Sequence, residues 1–173
     1  MKIVSLLVLA FVIISCGTTV NYDYDKQTNF TNYQSYNYFP DIDSGLSELD
    51  NKRIINVTDS LMTQRGFVKS ETPQFLINYF AKEGAIRPKN TIGIGLGSGG
   101  GNVGVGVSGG IPIGGNVIEQ QLTFDFVDAS KDELIWHAVS NGEIKEKASP
   151  NQKDKHYIKL INKILKGYPP KKK

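Results

Sequence analysis

The chain has 173 residues, of which 39% are hydrophobic, 21% charged and 10% aromatic, a composition typical of one globular domain. Its 20 lysines and arginines and 17 aspartates and glutamates give a formal net charge of +3. The terminal Lys171, Lys172 and Lys173 account for this excess. The nearly neutral body lacks the basic face that phosphates require, so we expect no nucleic-acid partner. The single cysteine excludes a disulfide framework within the chain and every multi-cysteine metal site.

Residues 1–15 have the pattern of a secretory signal peptide. Lys2 precedes an unbroken run of apolar and small residues over 3–14. This run is shorter than the roughly 20 residues that a permanent membrane-spanning helix needs. The Ile-Ile-Ser-Cys order at 13–16 resembles a bacterial lipobox, in which the chain is cut before the cysteine and the cysteine is acylated. We therefore predict that residues 1–15 are removed and that a lipid on Cys16, followed by a tether over 16–19, holds the protein at the cell outer membrane.

The first half of the mature chain contains two strand candidates and a helix. Period-two alternation predicts strands over residues 20–25 and 35–39. A helix is predicted over 47–65, because Ser47 with Asp50 forms a capping pair and Gly66 is a typical end signal. Its apolar stripe is assigned to Leu46, Leu49, Ile54, Val57 and Leu61.

The second half is richer in strands. Strands are predicted over 74–81, 118–128 and 133–143, with a turn at 129–132 joining the last two. Ser149 and Pro150 begin a final helix. The fold class that follows is α+β, a mainly antiparallel sheet with two helices on one face, together with a Gly-rich hairpin or loop. We expect Trp136, Phe124 and Leu160 to be core residues. In the final helix, helical spacing assigns the apolar stripe to Tyr157, Leu160, Ile161, Ile164, Leu165 and Tyr168.

Several segments resemble bacterial lipoproteins that carry domain of unknown function 4136 (DUF4136). The resemblance implies a single domain over residues 20–170, followed by a basic tail at 171–173, in a periplasm-facing lipoprotein with no established activity. His137 stands where the family typically has an arginine, and Lys131 with Asp132 replaces a Thr-Gly turn. The resembling segments are residues 22–39, 66–67, 73–79, 124–129, 134–136 and 164–170.

The Gly-rich segment at 91–116 is the least ordinary part of the sequence. Residues 93–115 hold 12 of the 18 glycines, and aliphatic residues alternate with glycine on both sides of a turn at 98–102. Glycine weakens a strand, so several in phase favour close approach of another surface. A mobile loop, a partner-docking hairpin and a membrane-inserting hairpin all remain open. The candidate docking positions are Gly93, Gly95, Gly97, Gly104 and Gly106.

Two motifs for cofactors or metals do not hold up against their physical requirements. Gly95, Gly97 and Gly100 match a dinucleotide-binding pattern, but the valine alternation after them predicts a strand where a phosphate-binding helix is needed. Asp41 and Asp43 resemble part of a calcium loop that lacks its final glutamate. We expect no nucleotide, no other cofactor and no metal.

A hydrolase site is the remaining chemical candidate. His137 could act as a general base with Asp125 one strand away and Ser140 as nucleophile. Alternation places His137 with Ile135 and Val139, opposite Leu134 and Trp136. Because no nucleophile motif accompanies it, we read His137 as an ordinary strand histidine and assign no catalytic residue.

The function expected from the sequence is therefore a non-enzymatic interaction module, anchored by lipid and contacting an envelope protein or polymer. One alternative is an oligomerising lipoprotein whose Gly-rich hairpin docks to the outer membrane or inserts in it. The other is a hydrolase of envelope glycan or peptide. The last helix has lysines off its apolar stripe, which suit either solvent or anionic headgroups.

Overall fold

A computed structural model describes residues 18–94 and 109–171. A six-stranded sheet has the spatial order β1-β6-β5-β4-β2-β3. All its pairings are antiparallel except those that β2 makes with β3 and β4, which confirms the α+β prediction. The strands are β1 (Thr19–Tyr24), β2 (Ser35–Tyr38), β3 (Val68–Lys69), β4 (Phe75–Ile94), β5 (Gly109–Asp128) and β6 (Glu133–Lys145).

Two helices, α1 (Glu48–Gln64) and α2 (Pro150–Leu165), cover one face of this sheet. The Ser47 side chain caps α1 by accepting from the Asp50 amide, and Gly66 follows the helix with a φ of 87°. Ser149 caps α2 in a reciprocal capping box with Gln152, which satisfies two amides that the helix itself leaves free. Both predicted starts are thus confirmed. A 3-10 turn, Phe30–Asn32, and the short β3 were not predicted.

A buried carboxylate joins the first turns of the two helices. Asp50 is only 5% exposed and lies 3.1 Å from Arg53 Nη1 and 2.7 Å from Lys153 Nζ. Burial alone would raise the pKa of Asp50, but hydrogen bonds from Lys153 and Ser47 and the two cations hold it below its usual range. The charged pair therefore fixes α2 against α1 at one end of the helical layer.

The strand predictions were right in position but short in extent. β4 continues to Ile94 and β5 begins at Gly109, where strands were predicted only over 74–81 and 118–128. The two strands pair over their whole length, with irregularities between Glu83 and Ile86 and between Pro88 and Asn90. Past the end of β2, β4 pairs only with β5 among the described strands, and past the end of β6 at Lys145, opposite Val117, β4 and β5 continue as a two-stranded ribbon. We call residues 82–94 and 109–118 together the arm.

Two facing predictions were wrong. Leu49 is 64% exposed, because it lies about 140° around the helix from the buried Ile54 at 100° per residue. Leu134 is 54% exposed and Ile135 only 3% exposed, the reverse of the predicted alternation. A β-bulge causes this, since Phe126 pairs with Trp136 but Val127 pairs with Leu134, which leaves Ile135 as the extra residue.

Tyr168, just after α2, lies at the centre of the aromatic core. Its ring centroid is 4.6 Å from that of Phe126 and 5.3 Å from that of Trp136. The expected core residues Trp136, Phe124 and Leu160 are buried in the same cluster, as predicted. The Tyr168 hydroxyl is buried with no hydrogen-bond partner among the described residues. The same burial raises the pKa of the phenol, so the group stays protonated.

Removing this hydroxyl tests its contribution to stability. We expect Tyr168→Phe to leave the free energy of unfolding unchanged or to raise it by about 1 kcal/mol, because it removes an unpaired buried polar group. Tyr168→Ala should lower the free energy of unfolding by about 3–5 kcal/mol. Urea unfolding of both variants measures the difference. A clear loss of stability in Tyr168→Phe would show that the hydroxyl has a partner after all.

Candidate functional site

His137 and Asp125 are neighbours on the sheet face that α1 and α2 leave uncovered. His137 Nδ1 lies 2.5 Å from Asp125 Oδ1, and the side chains are 35% and 20% exposed. Strand register continues the row with Asp23 beside His137 and Asn78 beside Asp125. The sequence therefore identified the right carboxylate partner across the β5–β6 pair.

Ser140 does not join them. It is fully buried on the helix side of the sheet, and its hydroxyl donates to the Leu122 carbonyl at 3.2 Å. Ser140 is three positions after His137 along β6, so their side chains lie on opposite faces of the sheet. A histidine, an aspartate and a serine are thus present without the geometry of a nucleophile and its base.

Other site candidates lie partly outside the described residues. Cys16, Gly95, Gly97, Gly100, Gly104 and Gly106 belong to the segments that are not described. Gly93 is in β4, where it pairs with Gly110. Within residues 18–94 and 109–171, no group of three or more His, Cys, Asp or Glu could hold a metal ion. In the same ranges, no helix has both the length and the apolarity to cross a membrane.

The arm extends beyond the rest of the sheet. β6 stops pairing with β5 at Lys145, opposite Val117, and β2 stops pairing with β4 at Tyr38, opposite Ile77. Beyond Arg87 on β4 and Val117 on β5, these two strands pair only with each other in the described part of the chain, as far as Ile94 and Gly109. Ile86 and Ile92 on the arm are each 54% exposed. The arm therefore presents apolar side chains together with two open backbone edges.

Charged residues surround the base of the arm. Arg87 lies 2.8 Å from Glu119 and 2.6 Å from Glu143, which links β4, β5 and β6. All three side chains are substantially exposed, so these pairs contribute little to stability. A groove of ≈ 700 Å³ opens beside them, lined by residues that include Thr18, Lys82, Lys89 and Lys159.

A series of hydrogen-bonded polar side chains runs inward from this groove, from exposed Glu83 through buried Gln120 to half-buried His156. Gln120, 2% exposed, donates from Nε2 to Glu83 Oε1 at 3.1 Å, and its Oε1 lies 3.1 Å from His156 Nε2. Burial, reinforced by the Lys159 charge, lowers the pKa of His156 to about 4, so the imidazole is neutral at pH 7 and donates its Nε2 proton to Gln120. These hydrogen bonds were not predicted from the sequence. The one sequence signal for them was Gln120, a polar residue on the same face of β5 as the core residues Leu122 and Phe124.

The opposite end of the sheet carries a tightly bonded carboxylate and the C-terminal tail. Burial would raise the pKa of Asp128, but hydrogen bonds from Ser130, from the Tyr33 hydroxyl and from the Lys131 amide lower it to about 2. Beyond it, Tyr24, Phe30 and Pro169 line an open cleft that also includes Lys171. The described part of the basic tail thus leaves the domain far from the arm.

The lysines of α2 divide between two roles. Lys153 bonds Asp50, and Lys163 Nζ donates to the Thr18 carbonyl at 3.1 Å. Lys155, Lys159 and Lys166 are exposed. The helix is therefore a sheet-covering helix, and only part of its basic face is free for solvent or a headgroup.

The neutral state of His156 predicts a dependence of stability on pH. An unfolded histidine has a pKa near 6.5, whereas His156 in the folded protein has a pKa of about 4. Between these pH values, the unfolded chain is protonated at His156 and the folded chain is not. Stability should therefore fall between pH 6.5 and pH 4, by roughly 2–3 kcal/mol from this group. His156→Gln keeps an amide donor for Gln120 but does not titrate, so its loss over this range should be smaller. Thermal unfolding at pH 7 and pH 4 measures both proteins, and equal losses would contradict the assignment.

Comparison with solved structures shows the fold alone. A PDZ domain protein from Parabacteroides distasonis is similar at 13% identity and a TM-score of 0.55, over 90% of this chain and 37% of that one. The chain thus spans little more than a third of that relative's length. A PelC dodecamer from Paraburkholderia phytofirmans matches at 15% identity and a TM-score of 0.45, over 86% of this chain and 95% of that one.

No curated protein sequence matches this chain. A family model does match, described as a domain of unknown function (DUF4136), and it covers residues 20–170, nearly the whole chain. This match agrees with the resemblance carried by the aromatic strand segments and by the Gly-Tyr-Pro-Pro end of the chain. The protein belongs to the DUF4136 family.

Proposed function

We propose that this protein is a lipid-anchored, non-enzymatic interaction module of the cell envelope, facing the periplasm, and that the arm is its contact element. One observation carries the proposal: β4 and β5 continue as a two-stranded ribbon well past the strands that flank them. A two-stranded ribbon alone is marginally stable in water, so an arm of this length favours a partner surface.

The arm offers two ways of making contact. Its outer backbone edges are unpaired by other strands in the described ranges, and such edges accept an added strand. It also exposes Ile86 and Ile92, whereas most large apolar side chains of the domain lie in the core. Both features support an interaction role, with an envelope protein or polymer as the partner class.

The arrangement of polar groups supports a non-enzymatic role. The histidine that the sequence offered as a base pairs with Asp125, while the serine offered as nucleophile is buried on the other face. The second histidine, His156 on α2, is hydrogen-bonded to Gln120 of β5. A glycan or peptide hydrolase would need a further acid or nucleophile beside one of them.

A second candidate function is an oligomerising lipoprotein whose Gly-rich hairpin docks to the outer membrane or inserts in it. One observation favours it: no charged residue occurs from Asn90 to Ile118, in a chain that is 21% charged. Natural proteins commonly protect exposed strand edges with charged side chains, and the arm past Lys89 has none.

The anchor is tested at its cysteine. Replacing Cys16 with Ala should move the protein from the detergent phase to the aqueous phase in detergent phase separation, because the apolar run over 3–14 is too short to anchor by itself. Immunoblotting of the two phases measures the change. A variant that stays in the detergent phase would place the anchor elsewhere in the chain.

The contact element is tested by photo-crosslinking in cells. A photoreactive amino acid at Thr91 should yield a crosslinked adduct of higher mass, because this exposed position lies on the part of the arm that no other described strand flanks. Thr63 on α1 is the matched control, since it is the same residue type and is also exposed. Gel shift and mass spectrometry compare the two sites. Adducts of equal yield at both sites, or at neither, would refute the arm as the contact element.

A further inference from the structure

The arm and the N-terminus leave the sheet at the same end. β1 runs antiparallel to β6, with Thr19 opposite Asn141 and Tyr24 opposite Trp136, so the chain before Thr19 points along β6 toward Lys145 and the arm. Thr18 and Lys89, the latter a residue of the arm, line the same groove. The first described residue therefore lies beside the base of the arm.

This placement limits where the lipid can be. Cys16 precedes Thr18 by two residues, and two residues of fully extended chain reach about 7 Å. An acylated Cys16 must therefore lie close to the arm base, and the leaflet that holds its acyl chains must lie on the same side. The turn at 129–132 and the tail at Lys171 are at the far end of the sheet.

The charge pattern of this end is that of a boundary between water and lipid. The base has charges of both signs, with Arg87 held between Glu119 and Glu143 and with Lys82 and Lys89 nearby. Past Lys89 on β4 and before Glu119 on β5, the sequence has no charge at all. Charged groups keep to the aqueous side of a lipid surface, whereas uncharged apolar segments do not need to.

The register gives the arm two unlike faces. Ile92 pairs with Ile111 and Asn90 with Ile113, while Thr91 pairs with Pro112 and Gly93 with Gly110. Register partners share a face of an antiparallel ladder, and the faces alternate along each strand. By register, one face therefore has Asn90 and Ile92 with the positions of Ile111 and Ile113, and we call it the isoleucine face. The other face has Thr91 with the positions of Gly93, Gly110 and Pro112. A ribbon whose large apolar residues fall on one face suits an interface.

We infer that the arm lies with its isoleucine face on the lipid leaflet that holds the acyl chains of Cys16. The inference rests on the proposed lipid anchor and assigns the Ile92 face of the arm to lipid, which leaves the Thr91 face and the strand edges for the envelope partner. The domain is then held at two places, the acylated cysteine and the arm, and the base charges lie at headgroup level. The distal end, with Asp128 and Lys171, faces away from that leaflet.

The test uses the acylated full chain in vesicles of phosphatidylethanolamine and phosphatidylglycerol. Acylation blocks the only native thiol, so a cysteine placed at Ile92 is the single site for an environment-sensitive fluorophore. Thr91→Cys is the control for the other face of the arm, and Ala129→Cys, an exposed position in the β5–β6 turn, is the control for the distal end. All three positions lie outside the core, so the fold is retained, which circular dichroism verifies.

We expect spin-labelled lipids to quench the fluorophore at Ile92 roughly twofold or more over the fluorophores at Thr91 and Ala129, and iodide to quench it least of the three. Equal lipid quenching at Ile92 and Ala129 would overturn the inference, as would equal quenching at Ile92 and Thr91. Protection from iodide without lipid quenching at Ile92 would also overturn it and would identify a protein surface as the cover.

Failure of the anchor gives a different result. If Cys16 is not acylated, the fluorophore labels the parent chain as well, and the protein does not float with the vesicles. That outcome refutes the proposed function and the inference together. Flotation without lipid quenching at Ile92 refutes only the inference.

Discussion

The packing of one aromatic side chain, Tyr168, against rings from distant parts of the chain is the contact on which the domain depends. Its ring lies within 6 Å of those of Phe30, Phe67 and Phe75, besides Phe126 and Trp136. These rings come from the loop after β1, the segment after α1 and three central strands. The Arg65 side chain reaches the same corner and donates to the Leu165 carbonyl. The C-terminal residues thereby close the helical layer over the sheet at the end opposite the arm.

This closure explains why the two ends of the sheet differ. At the closed end, aromatic rings pack together and Asp128 accepts hydrogen bonds from the Tyr33 hydroxyl and the Lys131 amide. At the arm end, the helices no longer cover the sheet, and the hydrogen-bonded series from Glu83 through Gln120 to His156 reaches the surface. Beyond it the strands continue without a core. The proposed contact surface therefore begins where the packing of the core ends.

Local signals predicted the parts of the fold that depend on neighbouring residues. Ser47, Ser149 and Gly66 marked the helix ends, because capping and a positive φ are properties of a few adjacent residues. The pairing of β2 with β4 was not predictable in this way, since it joins residues about 40 apart in sequence through a parallel register. The bulge at Ile135 was equally invisible, because only the partner strand defines the extra residue.

The candidate site divides along the same line. His137 and Asp125 were paired correctly from a local hairpin, whereas the contact of His156 with Gln120 depends on how α2 packs on the sheet. The length of β4 and β5 was underestimated for a related reason. Glycine and polar residues weaken the strand signal, but a long antiparallel ladder forms because each strand supplies the hydrogen-bond partners of the other.

The position of β1 has a mechanical consequence. If Cys16 is held in a membrane, as proposed, and the distal end is pulled away, the tension acts along β1. The six residues of β1 are then loaded in shear against β6, so their hydrogen bonds break together and not one at a time. Tyr22 adds resistance, because its hydroxyl donates to the Lys163 carbonyl at 2.6 Å and its ring packs against Gly167, where a Cβ would collide with the ring. Forced unfolding is governed by the barrier to the first rupture. A strand that follows its tether directly and lies parallel to the load makes that barrier high.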